Sequence, residues 1–318
     1  TNGGAEVIIW EGEKGISVHY GHMTLETHKT STGGVTVQLV FEGLRGVTIE
    51  VPNIFIKTMS EKEYGRFVNE VLRALEGGLE EADGFIENGY AAMETTQTWQ
   101  VIVWSLLHPD ENYVHIDSIN ANEGNVTITL HLRSSHNSLK GKILSDIDKL
   151  NEVGILAFTF TAVLGDGYAD IEKLKINGRV YNEAVIEIAM SDEEFERWRP
   201  LFERLESMGF RSGKPNLING NEVKVAFNGS NAIGLARAMI NVLPPILRDI
   251  MDALAFEKWL NLRRISEMEL KFRRGEMQVN VAGYGFTVQV KVGTIVLEHK
   301  ARDYVEADEV INALKANY

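Results

Sequence analysis

The chain opens on alternation. In "AEVIIWEG", "ISVHYGHMTLETH", "GVTVQLVFEG" and "GVTIEVP" apolar and polar residues alternate, with glycine-containing breaks between the runs. A period of two with such punctuation predicts an antiparallel meander. The period then changes. Ser60 heads a capping box with Glu63, and Tyr64, Phe67, Val71 and Leu75 follow at helical spacing up to Gly77-Gly78.

Similar strand-then-helix units recur. "NVTITLHL" precedes a helix with the stripe Leu139, Ile143, Ile147 and Leu150, and "RVYNEAVIEIAM" precedes one capped by Ser191 with Glu194. "NEVKVAFNG" precedes "NAIGLARAMINVL", and "MQVNVAGYGFTVQVKVGTIVLEH" precedes "YVEADEVINALKANY". Pro244-Pro245 breaks one helix and starts another, roughly Pro245 to Leu262, while Pro200 kinks the Ser191 helix or marks its first turn. No identity between the units is strong enough to be read as a sequence repeat. The pattern predicts an α+β fold of antiparallel sheets with packed helices. We expect three parts: an N-terminal strand-and-helix module over 1–137, a central unit over 138–245, and a C-terminal helix with a strands-and-helix module over 246–318.

Composition narrows this only a little. The 318 residues are 44% hydrophobic and 24% charged, as in ordinary globular proteins. No apolar run is long enough to cross a bilayer and the first residues lack a signal-peptide pattern, so a cytoplasmic location is expected. The first residue is not Met, which suits a piece of a longer parent chain. The absence of cysteine excludes disulfides, thiolate nucleophiles and cysteine-based zinc sites. Few Gln beside many Glu, Lys and Arg suit a thermophile, and abundant Asn weighs against one. The net charge of −13 disfavours nucleic-acid binding unless a local basic patch exists; the densest is Lys258 to Arg274, six basic residues against two acidic ones. A solvated helix and strand face is the favoured account of that run.

The stretch "LAFTFTAVLGDGYADIE" carries the candidate chemistry. As a strand, Leu156, Phe158, Phe160 and Leu164 share a face and Gly165-Asp166-Gly167 is a hairpin turn. As a helix, Gly154, Ala157, Thr161 and Gly165 place small residues on one face, and Asp166 leaves the helix end as a ligand for a hard cation. The elements that follow favour the helix: two strands around Asn177-Gly178, the Ser191 helix ending at Gly209-Phe210, strands through "NEVKVAFNG", then "NAIGLARAMINVL".

This αββαββα order, with Gly165-Asp166-Gly167-Tyr168 as the variant motif ending, resembles one half of a LAGLIDADG homing endonuclease over roughly 151–243. It also resembles a repeated paralogous family of hyperthermophilic archaea that carries a degenerate form of the motif. The resemblance implies a saddle-shaped sheet on a groove of double-stranded DNA and paired motif helices at a two-fold or pseudo-two-fold axis. It further implies one acid per helix holding Mg²⁺ for phosphodiester hydrolysis. Asp166 is then the catalytic and metal-binding acid. Asp83, in "GGLEEADGFIENGY", is its partner in a degenerate half-motif near 75–90, or a homodimer supplies the second acid. Lys173, Lys175, Arg179, Lys214 and Lys224 are the candidate DNA-binding residues.

Three features depart from the family. Glu172, Glu183 and Glu187 lie on the expected DNA-facing strands, and Gly165 to Lys214 holds eight Lys or Arg against eleven Asp or Glu. The Asp83 stretch also reads as a glycine-terminated helix followed by an acidic loop. The family's supporting lysine has no motif here, with Lys214 and Lys224 in the corresponding strand region. The expected function is therefore a LAGLIDADG endonuclease-like DNA-binding protein or its catalytically degenerate derivative. The alternative is a structural or protein-interaction module without a nucleic-acid partner.

Other constellations are plainer. His19, His22 and His28 lie close in sequence without metal-ligand spacing, and His131 and His136 suggest nothing sharper. "NGSNAIG" reads as an ordinary helix start capped by Ser230 or Asn231. Trp99, Trp104, Trp198 and Trp259 are expected in cores or against neighbouring modules.

Overall fold

The computed structural model describes residues 6–9, 16–20, 23–29, 35–41, 46–56, 58–122, 124–176, 178–218, 221–269, 278–291 and 294–317. The chain forms two compact units, Thr1–Met268 and Glu269–Tyr318. Both expected boundaries, 137/138 and 245/246, fall inside the first.

The first unit begins with strands β1 (Glu6–Ile9), β2 (Ile16–Tyr20), β3 (Met23–Lys29), β4 (Val35–Phe41) and β5 (Val47–Val51). Helix α1 (Glu61–Phe67) starts where the capping box places it: the Ser60 hydroxyl accepts the Glu63 N–H and Glu63 Oε2 accepts the Ser60 N–H. A π turn, Val68–Leu72, leads into α2 (Arg73–Ala82). Then come β6 (Gly84–Glu87), β7 (Tyr90–Thr95), α3 (Thr98–Leu107), β8 (Asp110–Asn122), β9 (Asn125–Asn137) and the short α4 (Lys142–Ser145). After α5 (Glu152–Gly165) follow β10 (Gly167–Ile176), β11 (Arg179–Ser191), α6 (Asp192–Ser207), β12 (Asn216–Ile218), β13 (Glu222–Asn228) and α7 (Ser230–Asn241). Helices α8 (Pro245–Leu254) and α9 (Glu257–Glu267) close the unit.

The fold is α+β with antiparallel sheets, and its inner order occurs twice. From α2 to α4 and again from α5 to α7, the chain runs helix, two strands, helix, two strands, helix. Pairing repeats as well: the second sheet is ordered β10-β11-β13-β12, and the first contains β6-β7-β9-β8, extended beyond β8 by β4 to β1, with β5 also on β8. The second unit is a three-stranded sheet, β14 (Gln278–Val281), β15 (Tyr284–Lys291) and β16 (Thr294–Glu298), with α10 (Tyr304–Asn317).

Leu156 to Leu164 is helical, as the element order favoured: Asn151 Oδ1 caps α5 by accepting the Gly154 N–H at 2.9 Å. Several other expectations need correction. Gly77-Gly78 do not end their helix, which continues to Ala82, so "GGLEEA" is helix and not an acidic loop. Leu139 to Leu150 is not one helix, because Gly141 takes φ 74° and only α4 and a 3₁₀ turn, Ile147–Lys149, form. The helix after Pro245 stops at Leu254, where Ala255 adopts φ 48° and restarts the chain into α9. Pro200 lies inside α6 and not in its first turn. Neither Ser230 nor Asn231 caps α7; Gly229, at φ 56°, precedes it, and Asn231 Oδ1 accepts the Arg211 N–H instead.

The core forms around α2 and α5. Helix α5 is buried from Gly154 to Gly165, including Phe158 and Phe160, and the inner strand residues Ala184, Ile186, Ile188, Val225 and Phe227 pack on the same side. Trp104, Trp198 and Trp259 are buried, and Trp99 stacks on Phe256 at 4.1 Å between ring centres. The two helices meet backbone to backbone. A methyl group on Gly78 would lie 2.2 Å from the Phe158 carbonyl oxygen, and one on Gly165 would lie 2.5 Å from Ala82 Cβ. Among the described residues no helix is long and apolar enough to cross a membrane.

Gly78→Ala should therefore destabilise the protein by about 1–3 kcal/mol, the usual cost of overpacking a filled core. Gly65→Ala, where an added methyl meets nothing within 4 Å, should stabilise it by about 0.5–1 kcal/mol. Urea unfolding of both variants checks this; equal midpoints would remove the seam as a packing constraint.

Candidate functional site

The seam delivers two acids to one place. Asp83 caps the end of α2 and Asp166 the end of α5, and the Asp83 carboxylate lies so near Gly165 that a methyl there would stand 2.6 Å from its Oδ2. Both of these carboxylates belong to one chain. Helix C-termini carry partial negative charge, so two of them with two carboxylates concentrate unfavourable charge.

Two lysines answer it. Lys140 Nζ donates to the carbonyls of Glu80, Glu81 and Gly84 at 3.2, 3.1 and 2.7 Å, and Lys258 Nζ donates to those of Leu164, at 2.9 Å, and Gly165. Each ammonium closes the end of one of the two helices. Burial, followed by repulsion from Asp166, pushes Asp83 up to about 6, although Lys258, Lys140 and Gln100 all pull it down. Asp166 is also raised, first by lost hydration at the seam and then by Glu194, against the same two lysines. Burial lowers Lys258, and the two acids oppose that shift.

A buried scaffold holds Lys140. Glu80 Oε2 accepts the Ser138 hydroxyl and the backbone N–H groups of Leu139 and Lys140 at 2.7, 2.7 and 3.1 Å, while Glu81 Oε2 accepts the Gly141 N–H at 2.6 Å. His108, fully buried, bridges Glu80 Oε1 at 3.2 Å and the Trp104 carbonyl at 3.0 Å. Burial raises the Glu80 carboxyl, but His108, Ser138 and Leu139 together bring it below its ordinary value. Sequence reasoning missed Lys140, Lys258 and Glu80. The signals were faint: two lysines outside any motif, and glutamates at 76, 80 and 81 that read as the polar face of a helix and are buried in the fold.

The donor set limits which cation suits the pair. Among the described residues no three His, Asp or Glu side chains cluster so as to hold a metal ion. Two carboxylates without imidazole suit Mg²⁺, which keeps several waters and takes one or two protein acids beside phosphate.

The outer face of the second sheet, away from the helices, is acidic. Strand register puts Asp170, Glu172, Glu183, Glu187 and Glu222 on one face of the second sheet. A groove of about 300 Å³ there is lined by Asp166, Tyr168, Glu172, Glu187, Ala189, Glu222 and Lys224. Lys224 Nζ is paired with Glu187 at 2.8 Å, which raises its proton affinity. On the first sheet His131 lies between Glu87 at 3.0 Å and Glu94 at 3.4 Å, and Arg133 reaches Glu87 at 3.6 Å. His136 pairs with Glu76 at 3.4 Å.

The other sequence candidates are scattered. Alternation places Lys173 and Lys175 on the face of Ala169 and Ile171, opposite Asp170 and Glu172. Lys214 is exposed on the segment before β12. Arg179 pairs with Ile176 at the hairpin end, and its side chain lies outside the described residues, as do His22 and the side chains of His19 and His28. Of the basic run, residues 270–274 lie outside the described residues. Lys258 turns to the α5 end, and Arg263 packs over Trp259 and faces Asp252 at 3.6 Å.

The raised Asp83 has a signed consequence. Its folded-state value of about 6 exceeds its ordinary 3.8, so the native state binds the extra proton between these limits and stability falls as pH rises through them. Asp83→Asn should be more stable than the parent by about 1–3 kcal/mol above pH 6, the difference vanishing below about pH 4. Denaturant melts at pH 4 and 7.5 measure it; a gain independent of pH would rule out titration as the cause. Glu80→Gln should lose about 3–5 kcal/mol, as expected for breaking a buried pair, and a loss under about 1 kcal/mol would show the clamp to be dispensable.

No protein-family profile matches the chain, and no curated protein matches its sequence. Among solved structures it is similar to full-length DUF199/WhiA from Thermatoga maritima at 11% sequence identity and a TM-score of 0.32, over 57% of this chain. The alignment spans 58% of that chain. A likeness of this size carries no argument about function.

Proposed function

We propose that residues 61–268 form a single-chain, homing-endonuclease-like DNA-binding unit in which Asp83 and Asp166 hold Mg²⁺ at the seam. One observation carries the reading: the same helix and strand order, with the same sheet pairing, occurs twice and brings one acid from each half to adjoining helix ends. When bound, the cation would activate water and stabilise the leaving oxygen of a phosphodiester. Lys140 and Lys258 hold the two helix ends and offset the charge of the acids. Gln100 donates to Asp83 Oδ2 at 2.8 Å.

A second reading rests on a different observation. The acidic outer face of the second sheet repels phosphates, and the one described lysine of the groove is already paired with Glu187. That charge suits an interaction module with a basic protein partner and no nucleic acid.

Mixed duplex DNA with Mg²⁺ or Mn²⁺ separates the two. The first reading expects cleavage that falls by about two orders of magnitude or more in Asp166→Asn, or, in a catalytically retired derivative, a DNA shift that weakens steeply as salt rises. Neither cleavage nor a salt-sensitive shift in the parent would overturn it and leave the interaction module.

A further inference from the structure

The second unit holds little core of its own. It spans about 50 residues, a size at which a single core is marginal and association often completes it. Among its described residues the buried apolar side chains are Phe286 of β15 and Val310 of α10. Strand β16 shows the corresponding deficit, with Ile295 69% and Leu297 45% exposed. Register sets Leu297 beside Val288, two positions along from Phe286, so Leu297 and Ile295 continue the face that Phe286 begins.

The strand is also an edge. Its sheet runs β14-β15-β16, and no described residue pairs with the outer side of β16. Edge strands are usually protected by proline, lysine, a bulge or very short length. The segment "TIVLE", Thr294 to Glu298, has no proline or lysine and pairs with β15 in unbroken register. Other edges are managed: β12 has only three residues, and β10 is covered where Asn261 donates to the Ala169 carbonyl at 2.9 Å.

The five residues of β16 also match themselves. Paired antiparallel about Val296, a second copy sets Ile295 against Leu297 on both sides of the two-fold axis, Thr294 against Glu298 on the opposite face, and Val296 against itself. No like charges oppose one another, and each Thr294 hydroxyl meets a Glu298 carboxylate. The exposed Ile295 and Leu297 of one copy close over those of the other.

We infer that β16 is a self-association edge, through which two copies of this chain join antiparallel into one continuous sheet sealed by Ile295 and Leu297. The interface uses no residue of the first unit, so it is independent of the acid pair and holds under either reading of function. It gives each particle two acidic grooves, one per chain.

The test uses the full chain, in analytical ultracentrifugation and in disulfide trapping. An interface this small is weak, so the mass should rise from monomer towards dimer between about 1 and 100 μM. Ile295→Lys combined with Leu297→Lys, at exposed positions where substitution costs the fold little, should stay monomeric throughout. The chain has no cysteine, so a single introduced thiol reports its own partner. Val296→Cys, on the axis, should form an interchain disulfide under mild oxidation, because directly opposed Cβ atoms stand about 4.5–5.5 Å apart, close to disulfide reach. Tyr304→Cys, exposed but off the axis, should not. A parent that is monomeric at every concentration overturns the inference, and so does a dimer that the double lysine variant leaves intact. If that variant does not fold, the thiols decide: equal linking of Val296→Cys and Tyr304→Cys overturns it.

Discussion

Two helices approach backbone to backbone only where side chains are nearly absent at their crossing, and the first unit is organised by that contact. Gly78 on α2 faces the Phe158 carbonyl and Thr161 of α5, Gly165 faces Ala82 and Asp83, and Gly154 faces the Glu70 carbonyl across the π turn. The positions met, 70 in the π turn and 78 and 82 on α2, lie about two turns and then one turn apart, so the helices run together to their ends. Close approach leaves little room for water between them. It also brings two C-termini and two carboxylates together, which turns a packing solution into an electrostatic problem.

The rest of the site answers that problem from outside α2 and α5. Lys140 arrives on the segment between β9 and α4, and the segment is held because Glu80 and Glu81 accept four of its donors. Lys258 arrives on α9, fixed by fully buried Trp259 and by Asn261 donating to the Ala169 carbonyl at 2.9 Å. Buried carboxylates normally lose stability through desolvation. Here Glu80 is surrounded by donors, so its charge is compensated and the loop it binds becomes a rigid mount for an ammonium group.

What the sequence discloses follows from how local each cause is. Capping boxes at Ser60 and Ser191 and the alternation of β10, β11 and β13 act within a few residues, so those elements are legible. The second half could be read by its element order, and the small-residue face of α5 foretold a close partner. The partner itself was obscured. Gly77-Gly78 read locally as a helix stop, and only Ile143 and Phe158, far away in sequence, explain why a helix carries two glycines there. The same holds for Ala255, whose positive φ has no local residue signal, and for Lys140 and Lys258, whose roles depend on where the chain returns.

The outer faces pose a different question. Inner strand positions are dictated by packing: Ile186, Ile188, Val225 and Phe227 fill the core beneath α5 and α7. Their neighbours along each strand point away from it, and folding places little demand on their charge. A run of carboxylates at Asp170, Glu172, Glu183, Glu187 and Glu222 is therefore not a by-product of making the sheet. It sets the sign of whatever the face can meet. Because Asp166 opens into the same groove, a cation at the seam would be drawn by the field of the whole face as well as by its two ligands. On the proposed reading, seam and face would both attract a cation, and it is phosphate binding, not metal binding, that such a surface would oppose.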